Sequence, residues 1–428
     1  MEKHNISSTE ELESDESESS LTKVVILGAG FGGLMTARAL AGFKRSLTGG
    51  VDLSITLVDK NDYQLFTPEM YEIASASSAI DGTQQLKEAI CVDVVDSLKS
   101  HDVNFLQRSV TGVDPKLQQV KTDEGNIAYD YLVIALGSEA FYFGIPGMEE
   151  YSVPMKTFDD ALLIRSRVHE LMTRKPEAHL IVCGGGPAGV ELAAELRKAC
   201  TDKVAGICPA ITIVEGQDRI LPMFSEEVSV SATKRLEGDL GIKLKTGFFI
   251  GEAKSDRVIS KDGEEIVGDI IVWTGGVTAV SVLQQMQLEL TKRKQIANRP
   301  TMQSQQYDNI FVMGDAAETK DSTGALSAMT AHEAVHQAPL VAKNIVALLS
   351  GVQLEEYKIK EEGYVITMGG KKGLVVLPSG RVISGYPGWF LRKFVDFRHF
   401  RSVLPLTEAL SIWYRGARLM TKNDKPNR

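Results

Sequence analysis

Six glycines and two acids set the chemistry this chain can do. Gly28-Ala29-Gly30-Phe31-Gly32-Gly33 follows the apolar run 23–27, and Gly184-Gly185-Gly186-Pro187-Ala188-Gly189 follows the apolar run 179–183. Both clusters read Gly-x-Gly-x-x-Gly. Asp59 closes the next apolar run after the first cluster and Glu215 the next after the second, each 31 residues past its leading glycine. In such a cluster the first glycine permits a tight turn. The second lets the backbone approach a phosphate, and the third lets a helix pack close to its strand. Free N–H groups at the helix start then face the phosphates, and the acid accepts from ribose hydroxyls. One cluster alone is a weak signal. Two, each between an apolar strand and an Ala/Leu-rich helix and each with its acid in step, read as two dinucleotide-binding modules. A chain that binds two dinucleotides is expected to move electrons between them.

The elements that must position these residues follow from the offset between the clusters. At 428 residues, 43% hydrophobic and 24% charged, the chain is long enough for two or three domains. The pattern predicts an α/β fold of two Rossmann-like domains with a C-terminal amphipathic, membrane-associating region over 381–428. The first module takes residues 21–155 and the second 156–280, the latter including the buried run 269–273 that ends at Gly275 and Gly276. The chain then returns to the first module over 281–380, through the strand 309–313, Gly314-Asp315 and a helix from about 324 to 349. Residues 1–20 carry seven acids against one lysine and no apolar period, so they are expected to be disordered. They resemble neither a signal peptide nor a presequence.

The net charge of −9 argues against general nucleic-acid binding. No apolar run reaches 18 residues, so no membrane-spanning helix is predicted. Four cysteines, Cys91, Cys183, Cys200 and Cys208, form neither a CxxC nor a CxxxxC pair. This usage fits a reducing compartment, with Cys183 an inert core thiol.

The segment 130–138, ending Ala135-Leu136-Gly137-Ser138, the segment 311–317 around Gly314-Asp315, and the two glycine clusters together resemble the two-dinucleotide-binding-domain flavoproteins over about residues 21–380. Within them the chain resembles the type II, non-proton-pumping NADH:quinone oxidoreductases. The matches are Asp59-Lys60-Asn61-Asp62-Tyr63 leading to 65–71, the helix 190–196 with Glu191 and Glu195, the segment 215–222, and the basic-aromatic C terminus. The resemblance implies FAD on the first module, held by Gly28, Gly30, Phe31, Gly32, Gly33, Asp59, Lys60, Val110, Ala135, Gly137, Gly314, Asp315 and Ala331. It implies NADH on the second, held by Gly184, Gly186, Pro187, Gly189, Glu215, Gly275 and Gly276. Glu215 favours NADH over NADPH, a preference Arg219 could soften. Glu191 is implied beside the flavin ring. The missing CxxxxC pair removes the disulfide-reductase branch.

One departure concerns the acceptor. Where the type II family usually presents two glutamines four residues apart toward the quinone, this chain has His332 and His336. They are expected to serve as a flavin-proximal hydrogen-bonding or proton-relay pair. Thr330-Ala331-His332-Glu333-Ala334-Val335-His336 also spells the His-Glu-x-x-His zinc motif, but no third ligand follows at a known spacing, so no metal is expected.

Residues 387–428 hold nine Lys/Arg against three Asp/Glu. Phe390, Phe394, Phe397, Phe400, Leu391 and Leu404 recur at near-helical spacing over 389–420, among Arg392, Lys393, Arg398 and Arg401 and with Trp389 and Trp413. This predicts a cationic amphipathic helix lying in a membrane interface on anionic lipid. The alternative is a helix docked on the body. The resemblance implies a quinone in the membrane, the cytoplasmic face and a homodimer. A second class stays open: a soluble FAD protein that reduces a ferredoxin- or rubredoxin-type carrier, or that senses NADH for a protein partner.

Overall fold

The computed structural model describes residues 21–44, 52–77, 80, 82–175, 177–201, 208–360 and 362–423. The expectation for residues 1–20 lies outside them.

Two five-stranded parallel sheets repeat one arrangement. The first runs Ile310–Val312, Tyr131–Ile134, Thr22–Leu27, Leu53–Asp59, Asn104–Gln107. The second runs Ser152–Pro154, Ile270–Trp273, His179–Cys183, Ala210–Val214, Lys243–Lys245. In each, the strand that feeds a glycine cluster is central and the strand that carries the acid lies beside it. Val24–Leu27 and Leu180–Cys183 of the central strands are continuous apolar runs and fully buried, as a parallel sheet covered on two faces requires. Residues 310–312 pair with Leu132–Ile134 and complete the first sheet, after the strands of the second sheet in chain order.

Six helices matter for the site: α1 Phe31–Lys44, α2 Phe158–Arg174, α3 Pro187–Thr201, α4 Ala331–Leu349, α5 Tyr386–Val403 and α6 Leu406–Asn423. α1 and α3 start at the two glycine clusters. α2 opens on a reciprocal cap between Thr157 and Asp160. α4 starts at residue 331 rather than about 324. Asp321 folds the preceding residues into a turn by accepting from the Thr323 and Ala325 amides, and Thr330 caps the helix by accepting from the Glu333 amide.

Sheet membership moves two sequence boundaries. Ser152–Pro154 already pairs with Ile271–Trp273, so the second sheet begins before residue 156. Tyr364–Thr367, Gly373–Val376 and Val382–Gly385 form one antiparallel sheet that crosses the 380/381 boundary and does not join the first parallel sheet. This small sheet packs on α3 and α5.

The C-terminal region departs most from its sequence pattern. The single helix expected over 389–420 is two helices. Leu404 is extended before Pro405, because proline disfavours helical backbone at the residue ahead of it. α5 also turns its charges inward. Arg392, Lys393 and Asp396 are buried together with Phe400, while Phe390 is 63% and Phe394 58% exposed. Lys393 pairs with buried Glu69, and Arg392 pairs with Asp396 at 2.9 Å and donates to the Pro68 carbonyl at 2.6 Å. The Trp413 indole N–H donates to the Lys393 carbonyl at 2.8 Å and clasps α6 to α5. Arg392 and Lys393 therefore serve the fold and cannot face lipid, and Phe400 and Leu404 belong to the core. No helix among the described residues is long and apolar enough to cross a membrane.

Candidate functional site

The two glycine clusters are built alike. A Cβ on Gly33 would lie 1.8 Å from the Gly28 carbonyl oxygen, and one on Gly189 would lie 2.0 Å from that of Gly184. Only glycine lets α1 and α3 approach their strands this closely. Gly28 and Gly184 take φ of +98° and +119° to make the turn. A Cβ on Gly30 would meet no atom within 4 Å, and one on Gly186 only the end of Met223. The middle glycines thus leave open backbone in front of each helix start, which a pyrophosphate can approach.

The acids do more than wait for a ribose. Asp59 accepts from the Ala29 amide at 2.6 Å and the Asn61 amide at 2.8 Å. Glu215 accepts from the Gly185 amide at 2.7 Å and the Gln217 amide at 2.9 Å. Each carboxylate ties its strand end to the residue after the leading glycine and so sets the shape of the phosphate loop. Burial pushes Asp59 above the usual carboxylate range, against the pull of those amides. Arg219 donates to the carbonyls of Pro222 and Phe224 at 3.1 and 2.6 Å and reaches those of Leu221 and Ser225. It is folded onto its own loop, so the softening of the Glu215 preference weighed from sequence has little geometric support.

A cleft of about 660 Å³ opens at the first module. Its walls include Gly28, Gly30, Phe31, Gly32, Asp59, Lys60, Val110, Ala135, Gly137, Gly314, Asp315 and Ala331. Gly33 lies behind them as a packing glycine. Gly314 has φ of +60°, and its amide donates to Gln337 Oε1 at 2.7 Å, which fixes the Gly-Asp turn against α4. The open backbone at Gly30 and Gly137 and the carboxylates of Asp315 and Asp59 on the walls suit a long, two-phosphate dinucleotide such as FAD.

On the second module Gly184, Gly186, Pro187, Gly189 and Glu215 come together at the start of α3, with Pro187 at its first position. Gly275 packs against this turn, with its Cα 2.9 Å from where a Cβ on Gly184 would lie. A Cβ on Gly275 would lie 2.7 Å from the Trp273 ring, and one on Gly276 2.7 Å from the Phe143 ring. Phe143 itself takes φ of +54° and is 60% exposed, so these two glycines seat an aromatic cluster at the edge of the nucleotide strand.

None of the three side chains expected to act on the flavin is on the cleft wall. Glu191 is buried on α3, where Oε1 accepts from the Thr367 amide at 3.0 Å and hydroxyl at 3.2 Å, 3.7 Å from the Arg392 guanidinium. Burial holds it above the usual carboxylate range despite Arg392 and Thr367. One turn on, Glu195 accepts from the Gly370 amide at 2.9 Å. The two acids of the Gly-x-Glu-x-x-x-Glu helix thus pin the hairpin of the small sheet. His332 and His336 turn to Glu362, while their neighbours Ala331 and Ala334 line the cleft.

Sequence reasoning missed Lys156 on the cleft wall and His399 behind Phe31. Lys156 donates to Ser138 Oγ at 2.7 Å, and Ser138 donates to the Asp315 carboxylate. Burial lowers the Lys156 ammonium below its usual value, with Asp315 opposing. A lone lysine ahead of a helix cap carries no spacing signal. His399 of α5 lies 4.9 Å from the Phe31 ring and stacks on Phe66 at 5.1 Å, with burial pushing it down to about 4, so it is neutral. The C-terminal helix therefore reaches the first glycine cluster. Cys183 and Cys91 are held as thiols: burial pushes Cys183 far up and Cys91 up to about 12.

Residues 22–338 match the model of the pyridine nucleotide-disulphide oxidoreductase family. The type II NADH:quinone oxidoreductase of Haemophilus influenzae is 30% identical over 81% of this chain and 85% of its own. That of Staphylococcus aureus is 31% identical over 88% and 94%. NDH2 from Plasmodium falciparum, solved in complex with NADH, superposes with a TM-score of 0.77 at 18% identity, over 93% of this chain and 98% of its own, and so shares the fold. The chain belongs to the pyridine nucleotide-disulphide oxidoreductases and, among them, to the type II NADH:quinone oxidoreductases.

Proposed function

We propose that this protein oxidises NADH through FAD and reduces a membrane quinone, without pumping protons. The observation that carries the reading is the duplicated loop, with Gly30 and Gly186 open and Asp59 and Glu215 in equivalent bonds. It gives one chain two phosphate-binding helix starts. FAD, when bound, supplies the hydride acceptor and the two-electron donor. The chain's own residues bind, orient and keep water out. The amides at the starts of α1 and α3 receive the two pyrophosphates. Asp59 and Glu215 hold the loops and retain acceptor capacity for ribose hydroxyls, and Glu215 repels a 2′-phosphate.

Glu191 is proposed as a proton-holding carboxyl that acts from behind the cleft through Thr367 and Arg392. Its raised pKa keeps the proton available nearer neutral pH than an ordinary glutamate would. His332 and His336 are proposed to act at the acceptor end of α4. Phe390, Phe394, Leu406, Leu410 and Tyr414 supply an exposed apolar face for a membrane surface. Arg398, Arg401, Arg415 and Arg418 are exposed beside it for anionic headgroups. The same reading carries the cytoplasmic face and the homodimer.

Anaerobic addition of NADH to the purified yellow protein should bleach the flavin, and a quinone in liposomes should restore it. NADPH should bleach it far more slowly, and Glu215→Ala should narrow that gap. Bleaching by NADH with no reoxidation by any quinone, but reoxidation by an iron–sulfur carrier, would move the protein to the soluble reductase class.

A further inference from the structure

α4 carries His332 and His336 one turn apart, and the chain returns Glu362 to their side of the helix. His332 Nδ1 is 3.5 Å from Glu362 Oε2, and His336 Nε2 is 3.1 Å from Glu362 Oε1. The donor atoms of all three lie within 4.8 Å of one another. Ligands held 2.0–2.1 Å from a tetrahedral Zn²⁺ are about 3.3 Å apart. The two distances, one to each oxygen of the Glu362 carboxylate, are each close to that ligand spacing. The sequence shows only the histidine pair, because Glu362 lies beyond the helix at no motif spacing.

Three further observations bear on the chemistry. The glutamate inside the motif, Glu333, is buried and accepts from Ser327 Oγ at 2.6 Å and the Tyr357 hydroxyl at 2.7 Å. It is not available as the general base of a zinc hydrolase. His332 Nε2 is buried with no hydrogen-bond partner among the described residues, so the imidazole pair is not a self-satisfied core feature. Burial, and then His332, hold His336 below its usual value, with the Glu362 carboxylate opposing.

We propose that His332, His336 and Glu362 form a binding site for Zn²⁺, with two imidazoles and one carboxylate as ligands and the fourth position open. An ion on His332 Nδ1 puts the ring proton on Nε2 and turns that unpartnered atom into a donor. Ala331 and Ala334 of the same helix line the cleft, so occupancy would be felt at the acceptor end of the site. The competitor is the Arg398 guanidinium, 3.7 Å from Glu362 Oε2 and itself largely exposed.

The test uses the FAD-loaded full-length protein, and it stands whichever electron acceptor the protein uses. Zn²⁺ is titrated against a chelating dye, and the bound ion is examined by X-ray absorption. The expected result is one ion per chain, with two imidazole nitrogens and a carboxylate oxygen. Glu362→Gln and His336→Gln should each weaken binding by about 10–100-fold or more, the range seen even for groups that only support a ligand. Arg398→Gln should tighten it, because the competing cation is gone. Unchanged flavin absorbance reports an intact fold in each variant. No binding by the wild type, equal binding by Glu362→Gln and His336→Gln, or sulfur in the coordination shell would overturn the site.

Discussion

At the glycine clusters the deciding contacts are local and repeated. Gly33 meets Gly28, Gly189 meets Gly184, and each acid reaches a loop amide about thirty residues away. In α5 the deciding contacts are remote and single: Lys393 reaches Glu69 and Arg392 reaches Pro68, each across 324 residues. The first region reads the same way in sequence and in space. In the second, the helical pattern of aromatics among cations is real, but Arg392 and Lys393 face inward, Arg398 and Arg401 outward, and two of the aromatics outward. A basic residue on an amphipathic helix is drawn to lipid only when no buried acid claims it. Glu69, Asp396 and Glu191 claim two of these.

The largest effect is expected from breaking the local contact. Gly33→Ala forces a Cβ into the Gly28 carbonyl, and the loss should be on the order of 4 kcal/mol, near the top of the range for single substitutions. A Cβ at Gly30 would meet no atom within 4 Å, so the contrasting substitution is Gly30→Val. It should leave the apoprotein's thermal midpoint nearly unchanged while abolishing flavin absorbance. Equal destabilisation by both would mean that the middle glycine is a packing residue and that the cluster is no phosphate cradle.

Next comes the remote contact. Lys393→Met leaves Glu69 buried without its cation and should cost about 3–5 kcal/mol in denaturant unfolding. A surface lysine poised for lipid would cost almost nothing, so the measurement separates the two assignments.

The exposed side of α5 should behave in the opposite way. Phe390→Ser with Phe394→Ser should shift stability by no more than about 0.5 kcal/mol per site. It should weaken binding to liposomes by up to about 1.5–3 kcal/mol per phenylalanine. Because Arg392 and Lys393 are committed to the core, the salt dependence of that binding should be shallower than the +6 charge of residues 387–428 suggests. Liposome co-sedimentation across salt concentrations measures both.

The smallest effect concerns pH. Burial pushes Asp396 up to about 7, with Arg392 opposing. A carboxyl raised above its unfolded value of about 3.9 contributes most while protonated. Its contribution is complete below that value and is lost as pH rises through about 7. Wild-type stability should therefore carry a downward slope between pH 4 and 7 that Asp396→Asn flattens. An unchanged slope would place the proton elsewhere in the Glu69–Lys393–Asp396 group.

The amino-acid sequence by itself determined the two phosphate-binding turns, the strands that feed them, the acids beside them and the Gly314-Asp315 turn that closes the first sheet. It could do so because turn geometry, helix–strand approach and strand burial each demand particular residue types at short, repeated spacings. Lys156 against Ser138 and Asp315, His399 against Phe31, and Glu362 beside the two histidines were decided only by the tertiary structure. So were the hairpin held by Glu191 and Glu195 and the inward turn of the charges on α5. Each of these depends on which group meets a side chain across a packed interface. Burial then changes what a residue type means: an exposed arginine seeks an anion in solvent or at a headgroup, whereas a buried one needs a carboxylate or carbonyl already in place.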